Sequence, residues 1–273
     1  MFEVERIIRT ALNEDIGAGD LTTEATVAGG TQGEARLVAK EDFVLAGIEV
    51  ARQVFHCVDA NVAFDAHKQD AQQVRKGEVL AVMRGNAASL LQAERVALNL
   101  VQRMCGVATL TAAFVDAVAG TGAQIVDTRK TTPGLRILEK YAVRMGGGRN
   151  HRYALYDGVL IKENHIAAAG GISAAVERAR QRLSHIHKIE IETQTLDEVR
   201  EALVAGADII LLDNMDVAML REAVGVVAGR ALTEASGGVN LKSVRGIAET
   251  GVDLISVGAL THSYRAVDIS MLF

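Results

Sequence analysis

The sequence predicts an α/β protein, and three observations carry that prediction. After Gly120, six short β-rich runs (AQIVDT, DGVLIKEN, IHKIEIET, ADIILLDN, ALTEASGG, DLISVGAL) each precede a helical segment. They begin roughly 20 to 35 residues apart, the length of a strand plus a crossover helix joining parallel strands. From Gly33 to Gly85 the pattern differs: ARLVAKEDFVLAG, NVAFDAH and GEVLAVMRG alternate loosely between polar, glycine-bearing turns, as strands of a small mixed sheet do. Aromatic residues make up only 4% of the 273-residue chain, with no Trp and a single proline, Pro133, which disfavours an all-β sandwich.

Taken in order, the chain opens on MFEVERIIRT, which carries charges throughout and no apolar h-region, so no secretory signal is expected. The segment ALNEDIGAGDLTTEA is rich in Gly, Asp and Thr and reads as a loop. From about Ser89 to Val118 the pattern is helical, apolar over most of its circumference except for Arg95, Asn99, Gln102 and Arg103. That stripe either meets solvent or turns Arg95 toward a ligand cavity, and the pattern leaves both open. The later helices TLDEVREALVAG, DVAMLREAVGVVAG and NLKSVRGIAETG end on glycine, a common C′ cap. No linker marks a boundary, and the composition shift puts it near residue 100.

Composition excludes several classes. At 49% apolar and 23% charged residues the chain can bury a large core, so it is neither disordered nor fibrous. A net charge of −5 argues against general nucleic-acid binding. No apolar run reaches the ~20 residues of a membrane span, so no membrane partner is expected. Cys57 and Cys105 are too few for a disulfide scaffold and lack metal spacing, which suits a cytoplasmic protein.

Polar or special residues sit where each β-run ends: Asp127-Thr128-Arg129-Lys130, Lys162-Glu163-Asn164-His165, Glu190 and Glu192, Asp213-Asn214, Glu234 to Gly238, and Ser256-Val257-Gly258. In βα barrels such ends converge on one mouth where chemistry sits, so a barrel with a functional mouth is expected. Between Arg129 and Lys162 stand eight Lys or Arg plus His151, against Glu139 and Asp157. Arg136, Lys140 and Arg144 repeat at helical spacing and read as a solvated face. Arg129, Lys130, Arg149, His151, Arg152 and Lys162 lie in turns or at strand ends instead, and favour a small polyanion. MGGGRNHR and EASGGVN are candidate phosphate-contacting turns, though neither is a P-loop or dinucleotide fingerprint. Glu192 and Asp213 among these cations suit Mg²⁺ held beside phosphates. His185 and His187 lack partners at zinc-ligand spacing. The residues alone therefore indicate a phosphorylated sugar or pyrophosphate bound with a carboxylate-rich partner.

Several stretches together resemble the quinolinate phosphoribosyltransferase family: NEDIGAGDLTTEA, AERVALNLVQRMCGVATLT, DTRKTTPGLRILEKYAVRMGGGRNHRYALYDGVLIKENHI, LLDNM, EASGGVN and TGVDLISVGALTHS. The resemblance covers nearly the whole chain in order. It implies an N-terminal α/β sandwich domain (1–100) and a C-terminal, incomplete (open) α/β barrel (101–264), with the tail 265–273 packed on the first domain. It implies the reaction of quinolinate with phosphoribosyl pyrophosphate to nicotinate mononucleotide, pyrophosphate and CO₂, with Mg²⁺, in a homodimer with shared active sites or a higher oligomer. By the same resemblance Arg95 reaches a neighbouring subunit's pocket, and Arg129, His151 and Arg152 grip the two carboxylates of quinolinate. Lys130 and Lys162 face the pyridine dicarboxylate or the phosphates, with Thr128 beside them. Glu192 and Asp213 sit by the ribose and Mg²⁺, and Lys130, Glu192 and Asp213 are the catalytic candidates. Ser236, Gly237 and Gly238, with Val257, Gly258 and Ala259, hold the 5′-phosphate. Two positions depart from the family pattern: Cys105 stands where Ser is expected and Glu163 where Asp is. Two alternatives remain: a phosphoribosyltransferase-like protein associated with molybdate transport, and a non-catalytic binder of anionic metabolites. The full cationic set argues against the first, and the acidic pair against the second.

Overall fold

The computed structural model describes residues 2–273 and divides into two compact units. The first comprises Met1–Ala112, Thr131–Gly147 and Thr261–Phe273; the second comprises Ala113–Lys130 and Gly148–Leu260.

The first unit opens with helix α1 (Phe2–Ile16), which buries Ile7, Ile8 and Leu12. The expected loop at ALNEDIGAGDLTTEA is thus mostly helical. Gly17, at φ 52°, follows α1, and Asp20 caps helix α2 (Leu21–Thr26) by accepting the Thr23 N–H at 3.0 Å. The glycines and Asp that suggested a loop are stop and start signals for two helices. Strand β1 (Gln32–Ala39) and the short β2 (Phe43–Val44) lead into α3 (Ile48–Val58), followed by β3 (Ala63–Ala66), β4 (Gln73–Val74) and β5 (Val79–Asn86). An antiparallel sheet in the order β12-β1-β5-β3 forms the platform, its edge strand β12 (Ile269–Leu272) coming from the end of the chain. Helix α4 (Ala87–Ala117) runs continuously through residue 100. The first unit also takes in helix α5 (Arg136–Met145).

Four expectations change in this unit. Helix α4 is long and apolar enough, by composition, to cross a membrane, but 56% of its most apolar window is buried inside the protein, as in a core helix. Half of its polar stripe is used internally: Gln102 Nε2 donates to the Ile269 carbonyl at 3.1 Å, and the Arg103 guanidinium donates to Thr132 Oγ1 and stacks on Tyr264. On α5 only Arg144 of the supposed solvated face is exposed; Lys140 is fully buried and Arg136 donates to Thr131 Oγ1 at 2.8 Å. The first glycine of MGGGRNHR serves packing: a Cβ on Gly146 would lie against the Ala108 carbonyl oxygen.

The second unit is built on six parallel strands: β6 (Gln124–Val126), β7 (Val159–Ile161), β8 (Ile189–Thr193), β9 (Ile209–Asp213), β10 (Leu232–Ser236) and β11 (Leu254–Ser256). Their order is β6-β11-β10-β9-β8-β7, so each strand neighbours the next in sequence except β6 and β7, which remain edges. The barrel is therefore open, as expected. At the gap the chain at Arg149 bridges to Val126, with Arg149 N–H donating to the Ile125 carbonyl at 2.9 Å. The central strands are buried along their middles, β8 at every position, as crossover helices on a parallel sheet require. Those helices are α6 (Glu163–Ala169), α7 (Ile172–Arg182), α8 (Leu196–Val204), α9 (Val217–Val227), α10 (Val244–Ala248) and α11 (Ala259–His262). Thr195 and Glu198 form a capping box on α8, and Asp216 caps α9. The expected helix over NLKSVRGIAETG shrinks to the five residues of α10, preceded by a turn held by Asn240 Oδ1.

Candidate active site

The strand C-terminal ends of the open barrel enclose a cavity of about 500 Å³. Its cations are Arg129, Lys130, Arg152 and Lys162, and its carboxylates are Glu192, Asp213 and Glu234. Thr128, His151, Ser236, Gly237, Gly238 and Ser256 complete the polar lining. The local fold explains each placement. Asp127, wholly buried just past β6, accepts the His151 N–H at 2.8 Å on Oδ1 and Asn150 Nδ2 at 2.6 Å on Oδ2. It thereby ties the turn carrying His151 and Arg152 to the start of the Thr128-Arg129-Lys130 segment. Lys130 N–H donates to Thr128 Oγ1 at 3.0 Å, tightening that segment. Arg152 donates to the Gly158 carbonyl at 3.1 Å, which fixes part of its fork.

Lys162 stands between β7 and α6 as the helix N-cap residue, its N–H donating to His165 Nδ1 at 3.0 Å while its Nζ donates to Glu192 Oε2 at 2.9 Å. Glu190 and Glu192, two apart on β8, both face inward and are buried. Asn214 Nδ2 donates to Asp213 Oδ2 at 2.7 Å. Gly237, at φ 99°, comes so close to Asn214 that a Cβ would lie 2.2 Å from its Oδ1. Only glycine fits this turn.

Electrostatics single out two groups. The Arg152 guanidinium holds its proton less tightly than usual, through burial first and the charge of Arg129 second. Two crowded cations of this kind are stabilised by an anion placed between them. Burial and the neighbouring Glu190 charge push the Glu234 carboxyl up to about 7.

Most residues given a site role by the family resemblance meet in this cavity, but four of them do not line it, and neither does Arg149, which lines a second cavity instead. Arg95 is an exposed side chain on α4, 4.0 Å from Glu94. Val257, Gly258 and Ala259 are absent from the lining, and Val257 is buried with its N–H given to the Val126 carbonyl at 2.9 Å. That N–H is therefore no phosphate donor; Ser256 lines the cavity in its place. Helix α10 begins well after Gly238 and is too short to act as an anion-binding terminus, so the glycine turn itself is the candidate. Cys105 is buried in the first unit, its Sγ accepting the Ala46 N–H at 3.3 Å, and burial pushes its thiol far up. Glu163 is exposed and outside the cavity lining.

The sequence marked Asp127, Glu190 and Glu234 only as polar strand ends. The signal for Glu190 was its spacing of two from Glu192, which puts both on one strand face.

Comparison with known proteins agrees over the full length. The family model for the quinolinate phosphoribosyl transferase N-terminal domain matches residues 20–105, and that for the C-terminal domain matches residues 107–272. A probable nicotinate-nucleotide pyrophosphorylase [carboxylating] of Bacillus subtilis is 46% identical over 269 residues, covering 98% of this chain and 93% of that one. A mitochondrial quinolinate phosphoribosyltransferase [decarboxylating] of Nicotiana tabacum is 44% identical, covering 99% of this chain and 82% of its own. The solved structure of the nicotinate-nucleotide pyrophosphorylase of Francisella tularensis superposes with a TM-score of 0.95 at 40% identity, over 99% of this chain and 95% of that one. With matches to both domain models and this depth of identity, the chain belongs to the quinolinate phosphoribosyltransferase family.

Proposed function

We infer that this protein transfers the phosphoribosyl group of phosphoribosyl pyrophosphate to quinolinate and decarboxylates the product, giving nicotinate mononucleotide, pyrophosphate and CO₂. It is a pentosyltransferase of NAD biosynthesis. The observation that carries the inference is the mouth itself: Arg129, Lys130, Arg152 and Lys162 gathered with Glu192 and Asp213 at the ends of parallel strands. Quinolinate is a dianion and needs several fixed cations, and bidentate guanidinium contacts to its carboxylates favour Arg129 and Arg152 for that role. Lys130 and Lys162 add charge toward the pyridine dicarboxylate or the phosphates. The turn Ser236-Gly237-Gly238 approaches with no side chain at two positions, which suits close contact with the 5′-phosphate.

As pyrophosphate departs, positive charge develops at the ribose. Glu192 and Asp213, negative and fixed, stabilise that charge without reorganising. The same two carboxylates, lying among groups that attract phosphate, suit Mg²⁺, which takes one or two carboxylates and fills its other positions with water and substrate oxygens. Bound there, Mg²⁺ supplies charge neutralisation for the leaving pyrophosphate. Once the ring nitrogen carries the ribosyl group, its positive charge is the electron sink for loss of the adjacent carboxylate. The protein's part in that step is orientation and charge balance. A homodimer in which Arg95 serves the partner's mouth completes the proposal, and the free thiols Cys57 and Cys105 suit a cytoplasmic setting.

The test is to incubate the protein with phosphoribosyl pyrophosphate, Mg²⁺ and quinolinate labelled in its 2-carboxylate. Release of labelled CO₂ with nicotinate mononucleotide in equal amount is expected. Binding of both substrates without CO₂ would favour a non-catalytic anion binder.

A further inference from the structure

The mouth has a side opening. Arg129, Arg152, Leu160 and Lys162 line both the mouth and a groove of about 410 Å³, so the two spaces are continuous. The groove follows β7, an edge strand of the open barrel. Successive side chains on a strand point to opposite faces, yet Val159, Leu160 and Ile161 all border this space, which places it along the strand's unpaired edge. In a closed barrel another strand would pair there, so the groove exists because the barrel is open.

Helix α7 turns one face to the groove, with Ala175, Arg178 and Ala179 at i, i+3 and i+4. Alanine at two of these positions keeps the space wide, and Ala169 on α6 does the same. Leu155, largely exposed, extends the apolar wall.

The groove's charge is of one sign. Arg129, Arg152, Lys162 and Arg178 line it and no carboxylate does, whereas the mouth holds Glu192, Asp213 and Glu234. Arg178 is exposed and has no hydrogen-bond or ion-pair partner among the described residues. Arg180, on the same helix, is by contrast tied to Asp208 and to the Gly206 carbonyl. Cations set on an apolar surface match one of the two substrates. Quinolinate is a flat ring with two apolar faces and two adjacent carboxylates on its edge. Phosphoribosyl pyrophosphate has no apolar face, and its phosphates suit the glycine turn and the carboxylates of the mouth.

We propose that the β7 groove is the entry path of quinolinate, and that Arg178 is its outer cation, capturing the dianion and passing it to Arg129, Arg152 and Lys162. The identity of the dianion rests on the function inferred above. A cleft lined by one sign of charge concentrates counter-ions and speeds their association. Arg178 recruits and the inner cations hold, so its effect falls on capture and not on turnover. Because Arg178 is exposed, salt screens that effect.

Steady-state kinetics of the full-length protein at about 20 mM and about 0.5 M KCl test this. Arg178→Glu should lower kcat/KM for quinolinate about three- to tenfold at low salt and by less than about twofold at high salt. Arg178→Lys should stay near the parent, since steering needs a charge and not a planar fork. The kcat/KM for phosphoribosyl pyrophosphate should move no more than in Arg221→Glu, a charge reversal at an exposed position of α9 outside the groove. Ala179→Trp obstructs the groove by bulk and should slow quinolinate capture at both salts. An unchanged quinolinate kcat/KM in Arg178→Glu at low salt would overturn the proposal. So would a loss that high salt leaves intact, a loss shared equally by phosphoribosyl pyrophosphate, or capture by Ala179→Trp at the parent's rate. A parent that does not turn over quinolinate would refute the assigned activity and the path with it. An active parent with an unaffected Arg178→Glu would refute the path alone.

Discussion

Lys162 Nζ donates to Glu192 Oε2 at 2.9 Å, joining a half-exposed cation to a carboxylate whose side chain is 10% exposed. The pair is asymmetric, since water can solvate the lysine but hardly the glutamate. Lys162→Met should therefore lower the melting temperature by leaving a buried charge unpaired, and Lys162→Met with Glu192→Gln should recover part of the loss. Glu192→Gln alone should lower kcat by about 10²-fold, the scale of losing a charge aimed at a developing transition-state charge, with little rise in the KM for quinolinate. Thermal melts and steady-state kinetics of the three variants check this, and additive melting shifts would show that the two side chains do not couple.

Arg129 and Arg152 crowd one another, as the weakened proton affinity of Arg152 records. Removing either should cost quinolinate binding ~1.5–3 kcal/mol, the scale of a charge-assisted hydrogen bond, or roughly ten- to a hundredfold in Kd. Lysine at either position should recover only part of this, because an ammonium lacks the planar fork. Arg152→Lys should recover less than Arg129→Lys, since the fork of Arg152 also holds the Gly158 carbonyl. Equilibrium binding of quinolinate to variants that melt like the parent is the measurement.

The sequence showed the open barrel's strands because β-rich runs and glycine-ended helices alternate at crossover spacing, a local pattern. It also placed most of the mouth, since strand ends in such a fold converge by topology. What escaped it depended on distant partners. Lys140 sits at an amphipathic spacing that signals solvent, yet it is buried. Val257, which the family resemblance groups with the phosphate-holding residues, gives its N–H to Val126 of β6 because β11 pairs with β6. Glu190 and Glu234 lie on strands separated by β9, so nothing in the spacing reveals that one histidine touches both. The first helix was missed for a different reason: Gly17 and Asp20 end and begin helices there, and composition alone does not separate punctuation from a loop.

The raised Glu234 carboxyl also bears on stability. Its folded value of about 7 lies above the ordinary 4.5. The stability it contributes is fully present below about pH 4.5 and is lost as pH rises toward about 7, because ionisation is harder in the fold than in the unfolded chain. Glu234→Gln cannot ionise, so its melting temperature should exceed the parent's at pH 8 by more than it does at pH 5. Melting curves at the two pH values check this, and an equal difference at both would place the titration elsewhere.

Gly237 is constrained twice, by φ 99° and by an Asn214 Oδ1 that a Cβ would meet at 2.2 Å. Gly237→Ala should push the Ser236-Gly238 turn away from Asn214, which holds Asp213 Oδ2 at 2.7 Å. Both the proposed phosphate turn and one proposed metal-facing carboxylate would move together. The expected result is a raised KM for phosphoribosyl pyrophosphate and a higher Mg²⁺ requirement, with quinolinate affinity little changed. Gly238→Ala, where a Cβ meets nothing within 4 Å, should be milder despite its φ of 59°.

Arg95 offers the test of assembly. Its side chain is 59% exposed on a helix otherwise largely buried, with only a 4.0 Å approach to Glu94, and Asn99 beside it on the same stripe is exposed too. In the proposed homodimer this arginine completes the partner's mouth, so Arg95→Ala should be inactive alone. Lys130→Ala should be inactive for a different reason, the loss of a cation within its own mouth. Unfolded, mixed in equal amounts and refolded, the two variants should complement. Half the dimers are then hybrids, and each hybrid holds one intact site, made from Lys130 of one chain and Arg95 of the other. Activity should therefore approach about 25% of the parent's when sites act independently. No recovery in verified hybrids would return Arg95 to its own chain's site. Full activity in a verified monomer would remove the shared mouth altogether.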